Sequence, residues 1–363
     1  MNKKLKRFGG LAAVVIVNLW LSSGAYAANA LPSSCATPDN NSPITTCFFD
    51  LTASPSTTQT PVSAVLNGGF FRVPGQNDPF GQGFIVGTGV FDPFVRIQER
   101  GNGNGNNASN GIQAGFNTDG RAGVGPAAIE LDNHDKGGTN WNHSIKLSDI
   151  FKVTVCDGGG ATGANCKQYY EFLLDTNQQD ALTTSGISLD EFKLFTAATG
   201  NITAHTGEDD TKGITNFQIT GATLRYDMDA GPGGDASILT DYSNFSGSGN
   251  GLDLQVLVPV SNFAGAAPDS FVYLYSKFGW TSTQCQNSGN NASPCLTPDG
   301  TNGPGTTISP GGNGKTPAGT LNFEANAGFE EWSTRRSVPL PATALLFAVG
   351  LMGLGFSRKF NFS

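Results

Sequence analysis

Between its two ends the chain has no stretch in which apolar residues keep a 3.6-residue period for more than about two turns, and this constrains the fold most. Apolar residues come instead in short runs. Residues 151–155, Phe-Lys-Val-Thr-Val, alternate strictly, and residues 169–174, 192–195, 223–226, 252–260 and 271–275 are further runs. Strand side chains point to alternate faces, so such runs suit strands rather than helices. Segments rich in Gly, Asn and Asp separate them, such as Asp119-Gly120 and residues 230–234. Many short strands punctuated by turns predict an all-β fold, a single large β-sandwich or jelly-roll-like domain with long Gly/Asn-rich loops. No Pro/Ser linker divides the body, so residues 28–334 are read as one domain. Residues 101–107 and 286–320 are low-complexity surface insertions with too little apolar content to order a core.

The N-terminus carries Lys3, Lys4, Lys6 and Arg7 with no acid. An apolar run over residues 11–21 follows, then Ala25-Tyr26-Ala27 before Ala28. Charged start, short apolar core and small-residue exit predict a signal peptide over residues 1–27, cut between Ala27 and Ala28. The run is too short to span a bilayer comfortably, which takes about 20 apolar residues. The expected partners at this end are the Sec machinery and signal peptidase.

Eight of the 21 basic residues lie in the two terminal segments, which leaves 13 against all 29 acids over residues 28–334, a net charge of −16. Nucleic-acid binding runs through Lys and Arg contacts to phosphate, so a body this acidic excludes it. Divalent cations are what such a surface attracts. The six cysteines form three local pairs, Cys35/Cys47, Cys156/Cys166 and Cys285/Cys295, each around a polar stretch. In an exported chain this spacing favours three loop-closing disulfides over a metal site, since no Cys-x-x-Cys occurs and the histidines are scattered.

At the C-terminus, Val338-Pro339-Leu340-Pro341-Ala342-Thr343 precedes an apolar stretch and then Arg358 and Lys359. A short apolar segment with a cationic stop predicts a transmembrane helix over residues 342–357, with its basic end in the cytoplasm. Val338, Pro339, Leu340, Pro341 and Ala342 closely resemble the Val-Pro-x-Pro-Ala signature of the PEP-CTERM sorting signal, with Leu340 where the commonest version has Glu. Residues 335–363 are read as that signal. The resemblance implies an exosortase, a membrane enzyme similar to cysteine transpeptidases, that recognises residues 339–342 and releases or transfers the protein. It further implies export across the inner membrane of a Gram-negative bacterium, to the cell surface or to an exopolysaccharide or biofilm matrix.

The body resembles exported proteins that carry the same tail. The segments concerned are Phe-Asn-Thr-Asp-Gly-Arg at 116–121, residues 143–150, 170–175, 187–191, 247–251 and 271–279, and Gly-Phe-Glu-Glu-Trp at 328–332. This resemblance implies no activity, and it makes Glu330, Glu331 and Trp332 part of a fold signature as readily as a site.

The body lacks His-Glu-x-x-His, Gly-x-Ser-x-Gly and Gly-x-x-x-x-Gly-Lys, and its three histidines are His134, His143 and His205. Glu130 and Asp132 would share one face of a strand, as a glycoside hydrolase pair requires, and with Asp135 they resemble the Glu-x-Asp-x-x-Glu strand of laminarinase-type enzymes. Residues 133–138 read as a turn, however, so solvated loop acids are the better account. Two acidic loops fit the oxygen chemistry of calcium: Asp175, Asn177 and Asp180, and Asp227 with Asp229, near Asp235 and Asp241.

The expectation is an exported surface or matrix protein without catalytic activity. An alternative is a calcium-dependent carbohydrate-binding protein, with Trp141, Trp280 and Trp332 as stacking candidates. A glycoside hydrolase using Glu130 and Asp132 is a third reading.

Overall fold

The computed structural model describes residues 34–36, 46–51, 63–73, 91–97, 113–120, 142–156, 163–176, 185–209, 214–230, 236–241, 252–279, 323, 325 and 329–335. Seventeen strands and two short 3-10 turns make up their regular structure, in agreement with the all-β expectation.

One sheet runs β1 (Ser34–Ala36), β2 (Thr46–Asp50), β14 (Ala236–Asp241), β10 (Gly186–Ala197), β16 (Phe271–Phe278), β6 (Gln113–Phe116). β13 (Thr223–Asp227) also pairs with β10, and β7 (Ile145–Lys146) with β16. The other sheet runs β3 (Ser63–Leu66), β4 (Gly69–Arg72), β15 (Leu254–Pro259), β9 (Lys167–Thr176), β17 (Glu330–Arg335), β5 (Phe91–Ile97), with β8 (Lys152–Val155) also on β9. β11 (His205–Asp209) and β12 (Ile214–Ile219) form a separate hairpin. The pairs are antiparallel except β2 with β14.

Alternation sets the layers. Tyr170, Phe172 and Leu174 of β9 and Leu254, Val256 and Val258 of β15 point one way. Phe192 and Leu194 of β10 and Val272 and Leu274 of β16 meet them in one apolar cluster drawn from both sheets. That shared cluster makes the body a β-sandwich. Phe192 sits at its centre, with ring centroids 4.9 Å from Trp332, 5.8 Å from Phe71 and 5.9 Å from both Phe172 and Tyr226.

The outer face of the larger sheet is covered as well. Phe217 and Ile219 of β12 pack on Phe195, Tyr273 and Tyr275, and the Phe217 and Tyr275 rings stack at 3.8 Å. The hairpin covers Phe195 and Ala197 of β10, a strand whose twelve residues are all buried.

Local chemistry fixes several corners. Asn67 (φ 43°) and Gly68 (φ 79°) make the two-residue turn of the β3–β4 hairpin, an arrangement that favours Asn-Gly. A Cβ on Gly69 would lie 2.5 Å from the Tyr226 hydroxyl, which donates to the Leu66 carbonyl at 2.7 Å. Asn117 is fully buried after β6. Its Nδ2 donates to the Val272 carbonyl and its Oδ1 accepts from the Leu274 N–H, at 2.8 and 2.7 Å. Asp119 then accepts from the Ser144 N–H and hydroxyl at 2.8 and 2.6 Å. The polar residues at 117–119 thus tie β6 and β7 to β16.

Cys156 and Cys166 form a disulfide that closes the β8–β9 hairpin. Cys35 stands opposite Cys47 in the β1–β2 register. Cys285, Cys295 and the predicted span at 342–357 lie outside the described residues. Among the described residues no helix is long and apolar enough to cross a membrane. Arg335, read from sequence as the first residue of the sorting signal, is the last residue of β17 and pairs with Phe91.

Candidate functional site

Each sheet contains one long central strand flanked on one side by two short strands laid end to end. On β10, β14 pairs with residues 186–189 and β13 with residues 193–196. β10 bulges between Leu189 and Glu191, opposite the break. The Met228 N–H still reaches the Phe192 carbonyl at 3.1 Å, and the Asn67 side chain donates to the Asp227 carbonyl at 2.9 Å.

Charge collects at this break. Glu191, Asp227 and Asp229 each place a carboxylate oxygen within 4.8 Å of the others. Lys193, two residues along β10 on the same face as Glu191, sends its Nζ to 3.1 Å from Glu191 and 3.5 Å from Asp227. Burial alone would lower the Lys193 pKa, but Glu191, then Asp227 and Asp229, outweigh it and raise it, so the ammonium persists at neutral pH. The Asp229 N–H donates to Asp227 Oδ1 at 3.0 Å, and Asp229 Oδ1 accepts from the Ala236 N–H at 2.9 Å, which fixes the turn. The group can hold a cation, and the Lys193 ammonium lies among its carboxylates, with buried Lys277 opposite Glu191 in the β10–β16 register.

On β9 the flanking strands are β17, opposite residues 173–176, and β8, opposite residues 167–170. Here the two come from distant parts of the chain. Glu171 sits at the gap, fully buried, and its carboxylate accepts from Arg335 Nε and Nη2 at 3.1 and 2.9 Å and from the Gln255 side chain. Gln255 in turn accepts from Arg72, so a polar ladder crosses the sheet. Burial raises the Glu171 pKa, and Arg335 holds it back. The Phe151 N–H donates to Thr334 Oγ1 at 3.2 Å, and the Phe151 carbonyl accepts from the Glu171 N–H at 3.0 Å. A cleft of about 620 Å3 opens there, lined by residues 143–145 and 148–152, Thr334 and Arg335.

Further along β9, Asp175 faces Glu331 across the β9–β17 ladder, and Arg96 of β5 pairs with Glu331. Burial and then the Glu331 charge push the Asp175 pKa up to about 7. Asp253, buried beside it, is also raised, by burial first and then by Asp175, although it accepts from the Thr176 N–H and hydroxyl.

The structure sorts the sequence candidates. Asp227 and Asp229 lie together, joined by Glu191 and Lys193, which were not among the sequence candidates. Asp241 lies at the far end of β14, opposite Gly186. Asp175 is not part of that group: it ends β9 in the other sheet, beside Glu331 and Asp253. Trp332 is corrected outright. It is fully buried and its Nε1–H donates to Ser276 Oγ at 2.9 Å, so no face is left for a sugar. His205 is a packing residue, its ring 5.8 Å from Phe116 and 5.4 Å from Phe217. His143 lines the cleft, with Nδ1 2.9 Å from the Ser144 carbonyl. Asn177, Asp180, Asp235, Glu130, Asp132, Asp135, His134, Trp141, Trp280, Ala27, Ala28 and residues 338–342 lie outside the described residues.

Residues 337–359 match the family described as the PEP-CTERM protein-sorting motif. No curated protein and no solved structure matches the chain. The chain therefore carries the sorting signal that directs export and processing by exosortase, and the match begins two residues after β17 ends.

Proposed function

We propose that this is a non-catalytic cell-surface or extracellular-matrix protein of a Gram-negative bacterium. It is delivered through the inner membrane as a disulfide-stapled β-sandwich and released or transferred by exosortase at residues 338–342. The single observation that carries this reading is the sorting motif at 337–359, joined with almost no spacer to a folded body. A signal peptide over residues 1–27 and a span over residues 342–357 complete the export route, and exopolysaccharide is the surrounding matrix. The test is fractionation of cells expressing the full chain or its Pro339→Ala/Pro341→Ala variant, with and without exosortase. The intact motif with the enzyme should give a shortened form at the surface or in the medium. Equal processing of the variant would sink the proposal.

A second reading, calcium-dependent carbohydrate binding, is supported by the Glu191–Asp227–Asp229 group. Calcium prefers several hard oxygen ligands, and three carboxylates within reach of one another supply part of a shell. Lys193 is its competitor. Calorimetric titration with calcium, then a glycan array in calcium and in chelator, separates the two readings. Binding lost in chelator favours the second, and none in either condition favours the first.

A further inference from the structure

The lane on β9 carries a consequence for how the sorting motif is presented. β17 runs antiparallel to β9 and heads, at Arg335, toward the start of β8, which occupies the next stretch of the same lane. The strand cannot continue along β9. Ser333 is its last residue paired with β9, opposite Leu173, while Thr334 and Arg335 stay paired with β5 alone. Arg335 is also pinned to buried Glu171, with its guanidinium 4.9 Å from the Phe151 ring. Arg335, the last described residue of the strand, therefore sits beside Phe151 and lines the cleft.

Covalent geometry then bounds the motif. A fully extended chain gains at most about 3.6 Å per residue, so Val338 lies within about 11 Å of Arg335 and Ala342 within about 25 Å. The first distance is close to the spacing of two packed sheets, about 10 Å. An enzyme that grips an extended segment at 338–342 has no room to keep the sandwich at a distance.

We infer that the cleft face is a docking surface for the processing exosortase, so that the folded sandwich and not the motif alone is its substrate. This rests on the exosortase reading above. The exposed groups on that face are Ser148, Asp149 and Lys152, with the partly exposed Arg335 fixed by Glu171. They offer both signs of charge to a partner held at the membrane surface. A free, flexible tail would need none of them.

The test is a cross of two changes in the full chain, read as the fraction of full-length protein shortened per unit time in cells with exosortase. One change is Asp149→Lys/Lys152→Glu, both on exposed side chains, with unchanged thermal unfolding as the fold control. The other is a ten-residue Gly/Ser spacer between Arg336 and Ser337. The charge reversal should slow processing at least fivefold at native spacing and have no effect once the spacer lets the motif reach the enzyme without the face. Normal processing of the charge-reversed chain at native spacing overturns the inference. A defect that persists with the spacer also overturns it, since the face would then act in export or at the lipid surface. Processing that survives Pro339→Ala/Pro341→Ala would instead remove the exosortase reading itself.

Discussion

The break beside β10 and the break beside β9 are the same device used twice, with opposite outcomes. In each, a long central strand is flanked on one side by two short strands laid end to end, and the break leaves buried charge in the middle of a sheet. Beside β10 the flanking strands follow each other in sequence, and the turn through Met228 closes the gap from within. The resulting cluster gathers buried Glu191 and half-buried Asp227 and Asp229 beside the buried Lys193. Beside β9 the flanking strands are far apart in sequence, nothing bridges them covalently, and a cleft lined by Arg335 opens there. Local connection makes a closed ion cluster; distant connection makes a surface.

The sharpest way to break this contrast is to remove the sealed cation. Lys193→Met removes the buried ammonium that pairs with Glu191 and Asp227, and should cost about 3 kcal/mol in chemical denaturation. Millimolar calcium should restore part of that loss if the three carboxylates can accept the ion. Restoration by calcium and not by sodium would support the second functional reading. A loss under about 1 kcal/mol would show that the cluster is solvated.

The β9 junction should respond less, because Arg335 is 30% exposed. Arg335→Ala strands the Glu171 carboxylate beside Gln255, at about 2 kcal/mol after solvent screening. Thermal unfolding of Arg335→Ala alone and with Glu171→Gln checks it. The double variant should recover most of the loss, and no recovery would mean that Arg335 acts by packing on Phe151.

A separate effect is the pH dependence from Asp175. Its folded pKa of about 7 lies above its ordinary 3.8, so the folded state binds the proton more tightly. That stabilisation is complete below about pH 4 and is lost as pH rises toward 7. Asp175→Asn should therefore be more stable than the natural chain at pH 8, with the difference gone near pH 4. Parallel stability curves from pH 4 to 8 would contradict the raised pKa.

Much of the fold was legible because alternation is local. Each of the six apolar runs read from sequence overlaps a strand, β8, β9, β10, β13, β15 and β16 in turn, with the runs at 151–155 and 252–260 overrunning theirs. Asn67-Gly68 between alternating runs was a further legible signal, for the β3–β4 hairpin, that the reading passed over. The site was less legible. Alternation says that Glu191 and Lys193 share a face, but not that the fold buries both. Nor does it show that β13 and β14 share a lane and so bring Asp227 and Asp229 to them. Trp332 read as a sugar platform because an aromatic in sequence carries no mark of its depth. Its place at the centre follows from β17 inserting between β9 and β5, a pairing across more than 150 residues.

The central claim is a folded sandwich joined with almost no spacer to a motif that is cut. The most direct test is intact-mass and peptide mapping of the protein recovered from the surface or medium of cells that carry exosortase. The account predicts a chain that starts at Ala28, ends within residues 338–342 and keeps the β17 peptide through Arg335. A recovered chain that still carries residues 343–363 would contradict it.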